Sequence, residues 1–171
     1  MGAERTLVST SPEATEALAA ELGRTLPGGT LLALDGDLGA GKTCFVRGLA
    51  SGLGIEAGVA SPTYTLMQAH EGGRLPLFHF DAWMEGREKA FLMDGGDTFL
   101  SGDGIAVVEW AERVLETLPS PRLAVEFFHV DPETRRVRLH VVDEAPDGPL
   151  AALLARLPLP DGMCEEEPHS G

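Results

Sequence analysis

The chain has 171 residues, 43% hydrophobic and 23% charged, proportions that suit a single soluble globular domain with a core of its own. Its 13 Lys and Arg against 27 Asp and Glu leave a net charge of -14, which argues against autonomous binding of nucleic acid, whose phosphates such a surface repels. No apolar run is long enough to span a bilayer, the first residues lack the pattern of a secretory signal, and Cys44 and Cys164 lie too far apart in sequence to suggest a disulfide framework, so a reduced, cytoplasmic setting is expected.

The first predicted element is a helix from about Ser11 to Thr25. Ser or Thr caps a helix, Pro12 suits a first turn, and Glu13 stands three residues after Thr10 as in a capping box. Pro27-Gly28-Gly29 ends it. The apolar run TLLALDG then predicts a buried strand reaching Gly36, and a second helix is expected from Lys42 to about Leu53 with Phe45, Leu49 and Leu53 on one face. TYTLMQAH and LPLFHFD predict a β-hairpin turning at Gly72-Gly73 and ending at Asp81. From Met84 to Gly104 the pattern is weak and glycine-rich, with a short helix expected near Arg87 to Met93. A buried strand ends at Glu109, and Ala111 to Leu118 reads as a helix stopped by Pro119 and Pro121. Arg122 to Asp131 and Arg135 to Val142 form a second predicted hairpin, and Leu150, Leu153, Leu154 and Leu157 are spaced for one helical face. The single domain is expected to cover 1–157, and the polar, acidic stretch from Pro158 to Gly171 is expected to be a disordered tail.

The strand–loop–helix unit carries Gly36-Asp37-Leu38-Gly39-Ala40-Gly41-Lys42-Thr43, which matches GxxxxGK[ST] at every fixed position. The glycines let the backbone approach phosphate oxygens, and the helix behind them turns its N-terminal N–H groups and positive dipole end to the same phosphates. Lys42, expected as a surface charge, reaches the β and γ oxygens in this reading, and the Thr43 hydroxyl holds Mg²⁺. Asp81 and Glu109 end apolar strands, and such strand ends meet at the P-loop edge of a parallel sheet, which makes both acids candidates for the metal and the attacking water. Asp37 could contact a neighbouring backbone group or a partner protein. The chain contains no asparagine, so the NKxD guanine-reading motif is absent and ATP is favoured over GTP. The implied fold class is α/β, a P-loop NTPase-like three-layer fold with a mixed, mainly parallel sheet and β-hairpins. Three activities fit these motifs: an ATPase subunit, a small-molecule kinase, or a nucleotide-dependent binding module with negligible turnover. A kinase usually needs an arginine-bearing lid, and Arg47, Arg74 and Arg87 do not cluster in sequence.

Beyond the P-loop, SPTY at Ser61 to Tyr64, HFD at His79 to Asp81 and VEW at Val108 to Trp110 follow in order. With the P-loop they make the chain, from about Ser9 to Val142, resemble the bacterial P-loop ATPase subunits of tRNA threonylcarbamoyladenosine biosynthesis. The resemblance implies that Asp37, Leu38, Gly39, Ala40, Gly41, Lys42, Thr43 and Cys44 cradle ATP. It implies that Thr63 and Thr65 belong to a switch-like loop beside the γ-phosphate, and that Thr10 and Ser11 lie where the family closes over the base. Lys42, Asp81 and Glu109 take the catalytic roles, Asp81 as the Walker B acid, and Thr43, Glu109 and Asp81 surround Mg²⁺. Arg135 or Arg136 occupies a late basic position near the nucleotide, and Trp110 packs either beside the nucleotide or as an ordinary core tryptophan. The implied partners are the two subunits of the threonylcarbamoyl transferase, a metallo-subunit and its inactive paralogue, with this chain monomeric or weakly self-associating when alone. Three departures stand out: Ala82-Trp83-Met84 replaces the family's usual Leu-Tyr-Arg, Cys44 stands where threonine is common, and the family's glutamate-rich stretch after HFD reads EGREKAFLMDGGD.

Overall fold

A computed structural model of the chain describes residues 3–37, 39–56, 67–82 and 103–167. Strand β1 (Glu4–Ser9) leads to helix α1 (Pro12–Thr25), then β2 (Leu31–Gly36), α2 (Lys42–Leu53), β3 (Met67–His70), β4 (Leu77–Asp81) and β5 (Ile105–Glu109). After two 3-10 turns, Ala111–Arg113 and Leu115–Thr117, come β6 (Arg122–His129), β7 (Arg135–Val142), α3 (Pro149–Arg156) and β8 (Met163–Glu165).

The strands form one sheet in the order β3-β4-β5-β2-β6-β7-β1-β8. Pairing is parallel through the four central strands β4, β5, β2 and β6 and antiparallel at both flanks. The result is the α/β arrangement read from the sequence, with parallel pairing confined to the centre. Alternation along each strand sorts the core into two layers. Leu32, Leu34, Ile105 and Val107 face a cluster shared with Leu18 and Leu22 of α1, Phe45 and Leu49 of α2, and Leu154 of α3. Leu31, Ala33, Ala106 and Val108 face the other side, where Ala111, Val114 and Leu118 from the 3-10 segment cover them.

Helix α1 begins where proline and a capping hydroxyl predict it. Ser11 is the cap and its hydroxyl accepts the Ala14 N–H at 3.1 Å. The capping box does not form, because the Thr10 hydroxyl instead donates to the Gly162 carbonyl at 2.9 Å. Helices α1 and α2 pack backbone to backbone: a Cβ at Gly48 or Gly52 would lie 2.1 Å from the carbonyl oxygen of Glu16 or Ala20 respectively. Any larger residue at either position would drive the P-loop helix off α1.

Three expectations need correction. Residues 111–118 form two 3-10 turns rather than the expected α-helix, entered from the left-handed Trp110 and ended before Pro119. The tail is ordered through 167: Met163 to Glu165 pair antiparallel with β1, and Met163 is 9% exposed. Strand β1 itself was not expected. Leu38, the loop containing Thr63 and Thr65, and the helix near Arg87 to Met93 lie outside the described residues. Among those described, no helix is long and apolar enough to cross a membrane.

Candidate functional site

The P-loop leaves β2 at Gly36 and enters α2 at Lys42. Gly41 stands at the N-cap with φ 113°, a left-handed value that glycine adopts without strain. No side chain caps α2, so its first-turn N–H groups remain donors toward the loop's concave side. The turn is closed by the Ala40 N–H donating to the Asp37 carbonyl at 3.0 Å.

Lys42 is not a surface charge. It is 5% exposed, its ammonium donates to the Gly36 carbonyl, and Nζ lies 3.0 Å from the centroid of the Trp110 ring. Burial pushes its pKa below the ordinary lysine value, opposed by the carboxylates of Glu109, Asp35, Asp81 and Glu112. Trp110 reaches this position because it follows β5 in a left-handed conformation, φ 59°, which turns the chain sharply at the strand end. Its place beside Lys42 puts it at the loop rather than in a remote part of the core.

Asp81 and Glu109 are adjacent across the parallel register of β4 and β5, and they are 8% and 3% exposed. The Thr43 hydroxyl approaches Glu109 Oε1 at 3.5 Å, so α2 and β5 meet at this point. His79, 0% exposed, faces the same side as Asp81 two residues later, and its Nε2 lies 2.5 Å from Glu109 Oε2. Sequence reading left His79 without a role. The signal was there: period-two alternation in FHFD puts His79 and Asp81 on one face.

One hydroxyl and two carboxylates therefore converge where the P-loop meets the sheet. These are hard oxygen donors, the chemistry Mg²⁺ prefers. Neighbouring ligands of an octahedral Mg²⁺ lie about 3 Å apart, close to the Thr43–Glu109 separation. Among the described residues no three His, Cys, Asp or Glu gather as an all-protein metal cage.

A cavity of about 170 Å³ lies beside the loop, lined by Pro12, Thr15, Gly39, Ala40, Gly41, Cys44, Pro132, Glu133 and Arg135. The start of α1 thus does reach the site, through Pro12 and Thr15, while the side chains of Thr10 and Ser11 serve the Gly162 and helix-cap contacts. Cys44 donates to the Pro12 carbonyl at 3.2 Å, and burial, reinforced by Glu16, raises its thiol pKa. The two candidate arginines separate. Arg135 donates to the Gly39 carbonyl at 3.3 Å and to carbonyls of its own hairpin turn. Arg136 points to the opposite sheet face and pairs with Glu166 at 2.6 Å. Asp37 is exposed at the loop's edge, and a second hollow, lined by Asp35, Glu112, Glu126 and Phe128 among others, opens beside it.

Comparisons with known proteins point to one family and one fold. A family model described as "Threonylcarbamoyl adenosine biosynthesis protein TsaE" matches residues 9–137. A tRNA threonylcarbamoyladenosine biosynthesis protein TsaE from Bacillus subtilis is 39% identical over 132 residues, covering 77% of this chain and 82% of the relative. One from Treponema pallidum is 43% identical over 112 residues, covering 66% and 82%. The crystal structure of Bacillus subtilis YdiB superposes with a TM-score of 0.76 at 32% identity, covering 91% of this chain and 93% of that one.

Proposed function

The chain belongs to the TsaE family of threonylcarbamoyl adenosine biosynthesis proteins, and on that premise we propose that it binds ATP with Mg²⁺ and hydrolyses it in support of threonylcarbamoyladenosine modification of tRNA. Its target is the threonylcarbamoyl transferase complex, and the net charge of -14 leaves tRNA binding to those partners. The observation that supports this most is the convergence of Lys42, Thr43, Asp81 and Glu109 at the P-loop edge, from α2, β4 and β5.

In this reading the backbone of 37–41 and the first turn of α2 hold the phosphates. Lys42 leaves the Gly36 carbonyl and the Trp110 ring and moves to the β and γ oxygens, where its charge counters the charge that develops as the terminal phosphoryl group transfers to water. Thr43 and Glu109 hold Mg²⁺, which supplies charge neutralisation at the phosphates. Asp81, next to Glu109, orients the attacking water. The water oxygen bonds to the γ-phosphorus, the bond to the bridging β-phosphate oxygen breaks, the water's protons leave on the released phosphate, and ADP departs with that bridging oxygen.

ATP hydrolysis measured with and without the purified transferase complex tests the proposal. Turnover that depends on Mg²⁺ and rises with the complex is expected. No binding of a fluorescent ATP analogue by the folded chain would overturn it.

A further inference from the structure

We infer that His79 is a positioning residue for Glu109: it holds the carboxylate so that one oxygen is left facing Thr43. The inference rests on the reading above that the site takes a triphosphate with its divalent cation.

Glu109 has three side-chain torsions and its carboxylate is buried. A buried carboxylate is costly unless its oxygens are satisfied. Here they are divided, Oε2 against His79 Nε2 at 2.5 Å and Oε1 toward Thr43 Oγ1 at 3.5 Å. The nearer contact is the histidine's, and it ties down one oxygen of the carboxylate. The longer contact is the one a cation's ligand sphere would replace. His79 is itself rigidly placed. It is 0% exposed in the middle of β4, whose neighbours β3 and β5 clamp it on both sides in register with Gln68 and Val107.

The ring's other nitrogen, Nδ1, is buried and has no hydrogen-bond partner among the described residues. Imidazole with its proton on Nε2 donates to Glu109 and leaves only a lone pair at Nδ1. The other tautomer would bury an N–H without an acceptor and set two lone-pair atoms against each other. The surroundings therefore select a donor facing Glu109. Partners of this kind fix the orientation of a metal-binding side chain, and their loss typically costs about 10- to 100-fold in metal affinity or activity. HFD thus supplies two side chains to the site: Asp81 directly, and His79 through Glu109.

The test compares wild type with His79→Leu and His79→Gln, whose amide can donate to Glu109 from nearly the same reach. Mn²⁺ binding to the complex with a non-hydrolysable ATP analogue is read by electron paramagnetic resonance, alongside kcat and analogue affinity. His79→Leu should weaken Mn²⁺ binding and lower kcat by about 10-fold or more, with analogue affinity in the absence of metal changed less than about threefold. His79→Gln should recover most of both. In the nucleotide-free chain, long-range ¹H–¹⁵N spectra should show the His79 proton on Nε2, and its signal should move in Glu109→Gln. Mn²⁺ binding in His79→Leu equal to wild type, or equal losses in the Leu and Gln variants, would overturn the inference. So would a proton on Nδ1 with none on Nε2, even if His79→Leu fails to fold. A wild-type chain that binds no Mn²⁺ with the nucleotide overturns the proposed function as well, whereas intact wild-type binding with an unaffected His79→Leu overturns this inference alone.

Discussion

The two halves of the sheet treat charge in opposite ways. Beside the parallel strands, Lys42, His79, Asp81 and Glu109 are all 8% exposed or less; Lys42 donates to Gly36, His79 meets Glu109, and Asp81 stands next to Glu109 in register. In the antiparallel half, Arg138 pairs with Glu4 at 2.9 Å and Glu126 at 2.8 Å, and Arg136 with Glu166, on side chains that are 22–47% exposed. Exposed pairs of the second kind are worth about 0–1 kcal/mol each. A charge kept buried at a strand end is a much larger cost, and it persists where ligand chemistry repays it. Charged side chains are therefore buried at the proposed site and solvated on the antiparallel flank.

The sharpest break of this contrast is Lys42→Ala. We expect affinity for a fluorescent ATP analogue to fall about 10- to 100-fold, the loss of a charge-assisted hydrogen bond worth about 1.5–3 kcal/mol. The fold should survive with a lower melting temperature, because the substitution removes a buried side chain from the Trp110 ring and leaves the neighbouring carboxylates of Glu109 and Asp81 without their cation. A variant that fails to fold would return Lys42 to a structural role.

Asp81→Ala and Glu109→Ala should each cut kcat by about 10²- to 10³-fold, or roughly 3–4 kcal/mol, while analogue binding survives better than in Lys42→Ala. The two should differ in stability. Glu109→Ala leaves the His79 N–H buried without its acceptor, a loss of about 1–3 kcal/mol, which Glu109→Gln should largely avoid. Wild-type turnover in either alanine variant would remove that residue from the site.

Acid should act on the antiparallel half. Burial, reinforced by Arg138, lowers the pKa of His140, with Glu126 and Glu4 opposing. A histidine with a depressed folded-state pKa binds a proton more readily when unfolded, so its stabilisation is fully present above about pH 6.5 and is lost as pH falls through the folded value. Denaturation midpoints from pH 7.5 to 5 should fall in wild type and fall less steeply in His140→Gln. Parallel slopes in the two would assign the acid sensitivity elsewhere.

The smallest effect separates two neighbours. Arg136→Ala should change nucleotide affinity by less than about twofold and stability by no more than about 1 kcal/mol. Arg135→Ala should weaken nucleotide binding, because Arg135 lines the cavity beside the loop. Equal loss in both would move the nucleotide away from that cavity.

Much of this was legible without a structure. Helix α2 spans Lys42–Leu53 as read, because glycine placement and a 3.6-residue apolar period are local signals. The two acids were found from where apolar strands stop. The roles of Arg135 and Arg136 could not be divided, since the motif marks only a basic position and the face each takes depends on the pairing of β7 with β6 and β1. The hydroxyls of Thr10 and Ser11 are taken by contacts with Gly162 and Ala14, and the first of those comes from a segment read as a tail.

By itself, then, the sequence determined the P-loop, the strand–loop–helix unit around it and the hairpins, which rest on residues a few positions apart, and the family, which rests on the order of four short motifs. Tertiary structure alone decided that β1 and β8 are strands at all, since each is short and gains its hydrogen bonds from partners more than 120 residues away in the chain. It also decided that Lys42 is buried against Trp110 and that His79 meets Glu109, contacts between side chains 68 and 30 residues apart. Burial and pairing at that range depend on how the sheet is ordered, and no local pattern of hydrophobicity encodes that order.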